Sequence, residues 1–261
     1  MIKPRIAIPV PHSTDIEYSE RAWPQYAAAV EQAGGEAVKI SLSLSQVDVA
    51  NLIRGCEGFL LPGSGADVSP QRYGQEAIPE CKPADRAREA VDELLLQEAH
   101  NLYKPLLCIC LGVQSLNVWR GGTLLQDLSV MPVNHAAGRS IAVAHTAMIA
   151  PDSLLGRIVV REEAEERDGF LRLPVNSSHH QAIGIAGDGL KISARCPQDA
   201  VVEGVEGGQA SEGAESHFVL GVQWHPERST DISPTSRAIF RRFVSEAARW
   251  TPRAIHTSVA V

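Results

Sequence analysis

The residues best placed to do chemistry lie in 104–114 (KPLLCICLGVQ), where an apolar strand is predicted to run straight into a helix. Cys110 stands at the junction. A helix beginning there would direct its positive N-terminal end and free N–H groups at the sulfur, which favours the thiolate. Gly112 would leave the first helical turn bare for an approaching substrate. Alone, Cys110 fits a buried structural cysteine equally well, and for Cys108, inside the apolar run, that interpretation is the prediction.

A second motif, 221–227 (GVQWHPE), places His225 and Glu227 two residues apart at the end of a predicted strand. Alternate residues of extended chain face the same side, and Pro226 fixes the backbone between them. An imidazole can take the thiol proton through one nitrogen while the carboxylate holds the other. The pattern predicts Cys110 as nucleophile, His225 as base and Glu227 as its orienting group. Activity is expected to fall on the acid side, as His225 is protonated and the thiolate is lost.

A glycine-rich loop, 62–65 (PGSG), follows another predicted strand. Its two glycines would let backbone N–H groups point into a cleft, where they could stabilise the oxyanion of a tetrahedral intermediate. An ordinary turn explains the local sequence equally well. Because ligands bind at the carboxyl ends of parallel strands, the loop, Cys110 and His225 are expected to converge at one edge of the sheet.

These motifs together resemble the class I glutamine amidotransferase-like superfamily and, within it, the γ-glutamyl-γ-aminobutyrate hydrolase group, or peptidase C26. The combination is specific, although no single motif is. The segments that carry the resemblance are, in chain order, 61–74 (LPGSGADVSPQRYG), 85–92 (DRAREAVD), 104–128 (KPLLCICLGVQSLNVWRGGTLLQDL), 175–183 (VNSSHHQAI) and 221–227 (GVQWHPE).

The resemblance implies a cysteine hydrolase that cleaves the γ-glutamyl amide bond of a γ-glutamyl amine through a thioester and releases glutamate. It implies oxyanion donors from the backbone of Gly65 and Leu111. Residues of three of these segments would bind the α-amino and α-carboxylate groups of the substrate; they are Gly63, Gln114, Ser178, His179, His180 and Gln181. From the residues alone, His179 and His180 fit hydrogen-bonded structural roles equally well.

The sequence departs from the family pattern beside the nucleophile. Cys108 stands where a glycine usually gives the turn room, and Leu111 replaces a common arginine, which removes a positive charge near the sulfur. Glu89 and Asp92 stand where the pattern has Asp and Glu. None of these changes removes a triad residue, but each bears on substrate preference.

Two other functions are compatible with these motifs. The chain could be the glutaminase subunit of a two-chain amidotransferase that supplies ammonia to a partner synthetase. The departures at Cys108 and Leu111 also leave room for a non-catalytic sensor on the same fold. The intact triad favours the hydrolase, with a small γ-glutamyl molecule as partner and a homodimer left open.

Strands and helices alternate in the first half of the chain, which predicts an α/β fold with a mostly parallel central sheet and helices on both faces. The resemblance makes it flavodoxin-like, with a small antiparallel extension in the second half. One domain is expected over 1–250, a tail over 251–261 and a surface loop over 204–216. The predicted strands are 5–10, 36–40, 58–61, 106–109, 140–150, 189–194, 201–205 and 218–223, and the helices 22–33, 45–54, 84–101, 111–120 and 234–250.

The composition argues against several classes of partner and cofactor. The 261 residues carry a net charge of −7 without a basic run, which argues against nucleic acid or an anionic membrane as partner. No apolar run approaches the roughly 20 residues that span a bilayer. The five cysteines are irregularly spaced, which predicts no disulfide framework, no zinc site and a cytoplasmic setting. No metal or organic cofactor is expected, because protein groups and water complete the predicted reaction.

Overall fold

The computed structural model describes residues 3–207 and 217–252. These residues contain a ten-stranded sheet. Two further short strands pair with each other. The strands are β1 (Arg5–Pro9), β2 (Glu36–Ile40), β3 (Gly58–Leu61), β4 (Leu106–Ile109), β5 (Leu124–Leu125), β6 (His145–Ile149), β7 (Glu165–Arg167), β8 (Phe170–Val175), β9 (Ala182–Ile183), β10 (Leu190–Arg195), β11 (Val202–Gly207) and β12 (Val219–Val222). The helices are α1 (Ile16–Gln32), α2 (Gln46–Arg54), α3 (Arg86–Leu102), α4 (Leu111–Trp119) and α5 (Pro234–Arg249), with short 3₁₀ turns at Pro70–Tyr73, Arg161–Glu163 and Pro226–Arg228.

The strand order is β2-β1-β3-β4-β12-β11-β10-β6-β8-β7. From β2 to β12 every neighbouring pair is parallel, and from β12 to β7 every pair is antiparallel. The predicted fold class is confirmed, and the antiparallel extension continues the parallel sheet instead of forming a separate layer.

The central strands are apolar throughout because helices cover both faces. Leu60, Leu107 and Ile109 pack in the same cluster as α1 and α5. Phe59 and Cys108 point the opposite way and pack with α2, α3 and α4. Cys108 is fully buried, as the sequence predicts. All five cysteines are free, and none of the helices in the described ranges combines the length and apolar character needed to cross a membrane.

The strand register brings the three chemical motifs to one edge. Cys108 of β4 is paired with Leu61 of β3 on one side and with Gly221 of β12 on the other. The chain following each of these parallel strands therefore emerges at the same carboxyl edge. The glycine loop, Cys110 and the segment leading to His225 lie at that edge, as the prediction from the carboxyl ends of parallel strands has it.

Some local predictions were wrong. Helix α1 begins at Ile16 because the Asp15 side chain accepts the Tyr18 N–H and caps its first turn. Strand β8 was missed because it contains Pro174, a residue confined to strand positions that need no N–H; Pro174 lies beyond the stretch that pairs with β7. The first four residues of the predicted 204–216 loop belong to β11. The rest of that loop and most of the predicted tail, 253–261, lie outside the described residues.

A buried arginine links α3 to the loops that frame the site. The Arg88 guanidinium donates to the Pro62 carbonyl at 2.7 Å and to the Pro11 carbonyl at 3.1 Å. Its Nε donates to Asp92 at 2.6 Å, and both side chains are almost fully buried. Pro62 opens the glycine loop, so Arg88 fixes the position of that loop.

Replacing Asp92 with alanine is expected to lower the free energy of unfolding by about 3–5 kcal/mol, because a guanidinium that cannot lose its proton would stay buried without a counter-charge. Urea unfolding measures the loss. The matched control is Glu93→Ala, which breaks a partly exposed ion pair with Arg72 and should cost less than about 1 kcal/mol. Equal losses in the two variants would contradict this account of the buried pair.

Candidate active site

Cys110 occupies a strained turn between β4 and α4. Its backbone has φ 52° and ψ −109°, a conformation that non-glycine residues rarely adopt. Sharp strand-to-helix turns of this kind hold nucleophiles at the edge of α/β sheets. Gly112 has a different role from the predicted one. A Cβ there would lie 2.2 Å from the Leu61 carbonyl oxygen, so Gly112 lets α4 pack closely on β3.

The electrostatics of the sulfur also differ from the prediction. Burial raises the pKa of the Cys110 thiol to about 12, and this outweighs the opposing effects of the Arg228 charge and the Leu111 N–H. The expected thiolate is therefore not the resting form, because the cost of burying the anion exceeds the help from the helix end. Cys110 rests as a thiol and needs a base to become a nucleophile.

His225 and Glu227 form a buried pair behind this turn. The imidazole Nδ1 lies 2.8 Å from Glu227 Oε1. Asn176 clamps the His225 backbone from both sides, donating to its carbonyl at 2.8 Å and accepting its N–H at 2.9 Å. Burial lowers the pKa of His225, and Glu227 offsets this only in part. The resting imidazole is neutral, and its Nε2 has no hydrogen-bond partner among the described residues.

Gly63 lies between the thiol and the imidazole. A Cβ at this position would come within 2.9 Å of His225 Cε1 and 3.3 Å of Cys110 Cβ. The Gly63 N–H donates to the Tyr26 hydroxyl at 3.0 Å. Gly63 was predicted to contact substrate, but it does not line the pocket. It instead leaves room for the His225 ring and the Cys110 side chain, which both lie against it.

A pocket with a cavity volume of about 120 Å³ opens in front of Cys110. Both predicted oxyanion residues, Gly65 and Leu111, line it. The Leu111 N–H is directed at the Cys110 sulfur, and a Cβ added at Gly65 would meet no atom within 4 Å. The other predicted residues in the lining are Gln114, Ser178, His179, His180 and Gln181.

Several of these lining side chains already have partners. The Gln114 amide donates to the Gln181 carbonyl at 2.9 Å, and His179 Nδ1 lies 2.9 Å from the same oxygen. His180 is more exposed and pairs with Asp67 at 2.8 Å. Asp67 and Lys82 both line the pocket, which therefore presents groups of both charge signs.

Four residues that the sequence did not single out also shape the site. Tyr26 holds the glycine loop, Asn176 holds His225, Arg228 brings positive charge towards Cys110, and Lys82 lines the pocket. Asn176 lies within the 175–183 motif and Arg228 directly follows the 221–227 motif, so both could have been found from their positions. Nothing in the local sequence marks Tyr26, which lies on α1.

Comparison with solved structures places the fold among glutaminase domains. The Trypanosoma brucei structure described as a CTPS glutaminase domain with bound acivicin aligns with a TM-score of 0.60 at 15% identity, covering 97% of this chain and 98% of that one. At this identity the match establishes the fold alone. The fold of this chain is thus that of the glutaminase domain in that structure.

The chain belongs to the Peptidase C26 family, whose model matches residues 9–227. Protein NtpR of Enterococcus hirae is 33% identical over 224 residues, covering 84% of this chain and 86% of the relative. The γ-glutamyl-γ-aminobutyrate hydrolase PuuD of Escherichia coli is 29% identical over 231 residues, covering 85% and 84%. The family assignment supports hydrolysis of an amide bond.

Proposed function

We propose that the protein is a cysteine hydrolase that cleaves the γ-glutamyl amide bond of a γ-glutamyl amine, with Cys110, His225 and Glu227 as its triad. The observation that supports this most is that Cys110 and the ring of the His225–Glu227 pair both lie against Gly63, beside a pocket that Cys110 lines. A neutral thiol, a neutral imidazole and a buried carboxylate are the resting state of a general-base mechanism.

The reaction proceeds in two steps. His225 Nε2 takes the thiol proton as the Cys110 sulfur attacks the γ-carbonyl carbon, and the N–H groups of Leu111 and Gly65 stabilise the oxyanion. The C–N bond then breaks, the proton passes from His225 to the leaving amine, and a γ-glutamyl thioester remains. Water, deprotonated by His225, attacks the thioester, which releases glutamate and restores the thiol.

The substrate class rests on two lines of support. The free α-amino and α-carboxylate groups of a γ-glutamyl compound carry opposite charges, and the pocket offers Asp67, Lys82 and the partly exposed His180. The E. coli relative is named for hydrolysis of γ-glutamyl-γ-aminobutyrate. We infer that the pocket binds the glutamyl half of the substrate. The amine half is the leaving group, and the reaction itself does not require a particular amine.

The pH dependence follows from the two resting protonation states. Burial lowers the pKa of His225 below its ordinary 6.5, so kcat/KM should hold through mild acid and fall only below that value. The thiol pKa of about 12 predicts no gain from thiolate formation between neutral pH and mild alkali. A pH profile of kcat/KM tests both the fall in acid and the absence of a rise in mild alkali. An acid limb above 6.5 would contradict a buried neutral base.

The substrate proposal is tested by measuring glutamate release from γ-glutamyl-γ-aminobutyrate, other γ-glutamyl amines and free glutamine. The matched control is the α-linked isomer of each compound, which has the same atoms and a different amide. Cleavage of γ-glutamyl amines but not of their α-linked isomers is the expected result. Activity on glutamine alone would replace the proposal with the glutaminase subunit, and no cleavage by folded protein would favour the sensor.

A further inference from the structure

A cluster of three histidines and a glutamate lies buried in the antiparallel half of the molecule. His135 precedes β6, His145 begins β6, His179 follows β8 and Glu203 lies in β11. All four side chains are almost fully buried. The His135 ring is centred 4.6 Å from that of His145 and 5.0 Å from that of His179. In the three histidines, the ring nitrogens that face Glu203 have no part in the proposed reaction.

Three ring nitrogens converge on a single carboxylate oxygen. Glu203 Oε1 lies 3.2 Å from His135 Nδ1, 3.4 Å from His145 Nε2 and 3.7 Å from His179 Nε2. None of these nitrogens, and neither Glu203 oxygen, has a hydrogen-bond partner within the described part of the chain. Buried polar atoms without partners are costly, and here five of them share one small volume.

The opposite nitrogen of each ring fixes its tautomer. His135 Nε2 lies 2.9 Å from Asp199 Oδ2, His179 Nδ1 lies 2.9 Å from the Gln181 carbonyl, and His145 Nδ1 lies 3.3 Å from the Thr146 carbonyl. These three oxygens only accept hydrogen bonds, so each ring places a proton on that side.

In the neutral rings, the nitrogens facing Glu203 therefore carry lone pairs directed at an anionic oxygen. Lone pairs that converge on a carboxylate repel one another unless a cation lies between them. Histidines held by carboxylate or carbonyl oxygens on their far nitrogens are the usual arrangement of metal ligands.

We propose that His135, His145, His179 and Glu203 bind a single divalent metal ion, with Zn²⁺ as the best match. A tetrahedral zinc ion with ligand distances of about 2.0–2.2 Å has ligand–ligand edges of about 3.3–3.6 Å, close to the three nitrogen–oxygen distances. The four ligand atoms all lie within 4.8 Å of one another. Imidazole nitrogen and carboxylate oxygen are donors that zinc accepts, and four protein ligands complete a closed structural site.

The site would stabilise one wall of the pocket in front of Cys110. The His135 carbonyl accepts the Ser177 hydroxyl at 2.6 Å and the His179 N–H at 3.0 Å. Ala136 and His179 both line the pocket. An ion on the two histidines would tie the loop that precedes β6 to the segment that follows β8. The sequence predicts no metal, because protein groups and water complete the predicted reaction. The four ligands proposed here are far apart in the chain and form no recognisable motif.

A second group at the same histidine offers an alternative ligand set. Cys196 and Asp199 lie near the other nitrogen of His135 and could hold an ion with it. A proton between His135 Nδ1 and Glu203 Oε1, which lie 3.2 Å apart, is the competing occupant. The test therefore needs variants that separate the two ligand sets and a measurement that detects metal directly.

The experiment is elemental analysis of the full-length protein, purified without metal-affinity steps, followed by chelation and titration with Zn²⁺. About one zinc ion per chain is expected, with a rise in Tm when zinc returns to the chelated protein. Co²⁺ in its place should give the visible absorption of a tetrahedral site. Because wild-type protein supplies all three measurements, the test stands even where a ligand variant does not fold.

Variants then locate the ion. Glu203→Gln and His145→Gln should lose zinc, and Asp199→Asn should bind it about 10- to 100-fold more weakly because it only orients His135. Cys196→Ser tests the alternative ligand set, and Cys110→Ala tests for zinc on the reactive thiol. In both variants the zinc content, the rise in Tm with zinc and the cobalt absorption should match those of the wild-type protein. A chelated protein that takes up no zinc, or zinc lost on Cys196→Ser and kept in Glu203→Gln, would overturn the proposal.

Discussion

Replacing Cys110 with alanine is expected to lower the rate of glutamate release from a γ-glutamyl amine by at least about 10⁴-fold, because no other group can form the thioester. The residual rate would come from the oxyanion donors and the binding pocket alone. Alanine fits the space of the sulfur without adding a charge or a donor, so the fold should persist. The measurement is kcat/KM for wild type and variant at equal protein concentration, with Tm recorded for both.

Cys108→Ala is the matched control for this variant. Cys108 lies two residues before Cys110 and is fully buried on the opposite side of the sheet, packed with α2, α3 and α4. Its replacement should lower Tm and leave kcat close to the wild-type value. Activity that survives Cys110→Ala, or that is lost equally in Cys108→Ala, would rule out Cys110 as the nucleophile.

Glu227→Gln is expected to lower kcat by about 10³- to 10⁴-fold with a small effect on KM. The glutamine keeps the shape of the side chain but no longer favours the tautomer of His225 that leaves Nε2 free to take a proton. It also cannot stabilise the imidazolium that forms during attack. Because Glu227 opposes the effect of burial on the pKa of His225, the acid limb of kcat/KM should move to still lower pH.

Glu163→Gln provides the corresponding control away from the site. Glu163 accepts the Thr235 N–H at 2.7 Å, so this variant also removes a charge from a hydrogen-bonded carboxylate. It should leave both kcat and the acid limb unchanged. A Glu227→Gln enzyme with unaltered kcat, or with an unmoved acid limb, would show that Glu227 does not act through His225.

The parallel half of the fold could be predicted closely because its signals are local. The strands β2, β3 and β4 fall at the predicted residues, since each is a short run bounded on at least one side by a glycine, a proline or a helix start. Their shared direction then places PGSG, Cys110 and His225 at one edge. The antiparallel half was harder to predict, because β8 contains Pro174 and because β6 pairs with β8 and β10, neither of which is the next strand after it in the chain.

The site was only partly predictable for a related reason. Cys110 and His225 both lie near Gly63, and Glu227 pairs with His225, but the protonation states of these groups depend on burial that no motif encodes. The thiolate expected from the helix end becomes a thiol once desolvation is included. The roles of Gly63 and Gly112 likewise depend on which atoms lie opposite them, and those atoms belong to distant segments.

The most direct test of the central claim is partition of the reaction between water and hydroxylamine. A γ-glutamyl thioester on Cys110 would react with hydroxylamine to give a γ-glutamyl hydroxamate and the free thiol. Hydroxamate should form in a fixed ratio to glutamate for every amine leaving group, because all substrates pass through the same thioester. Release of glutamate without hydroxamate, or a ratio that changes with the leaving amine, would contradict a covalent intermediate on Cys110.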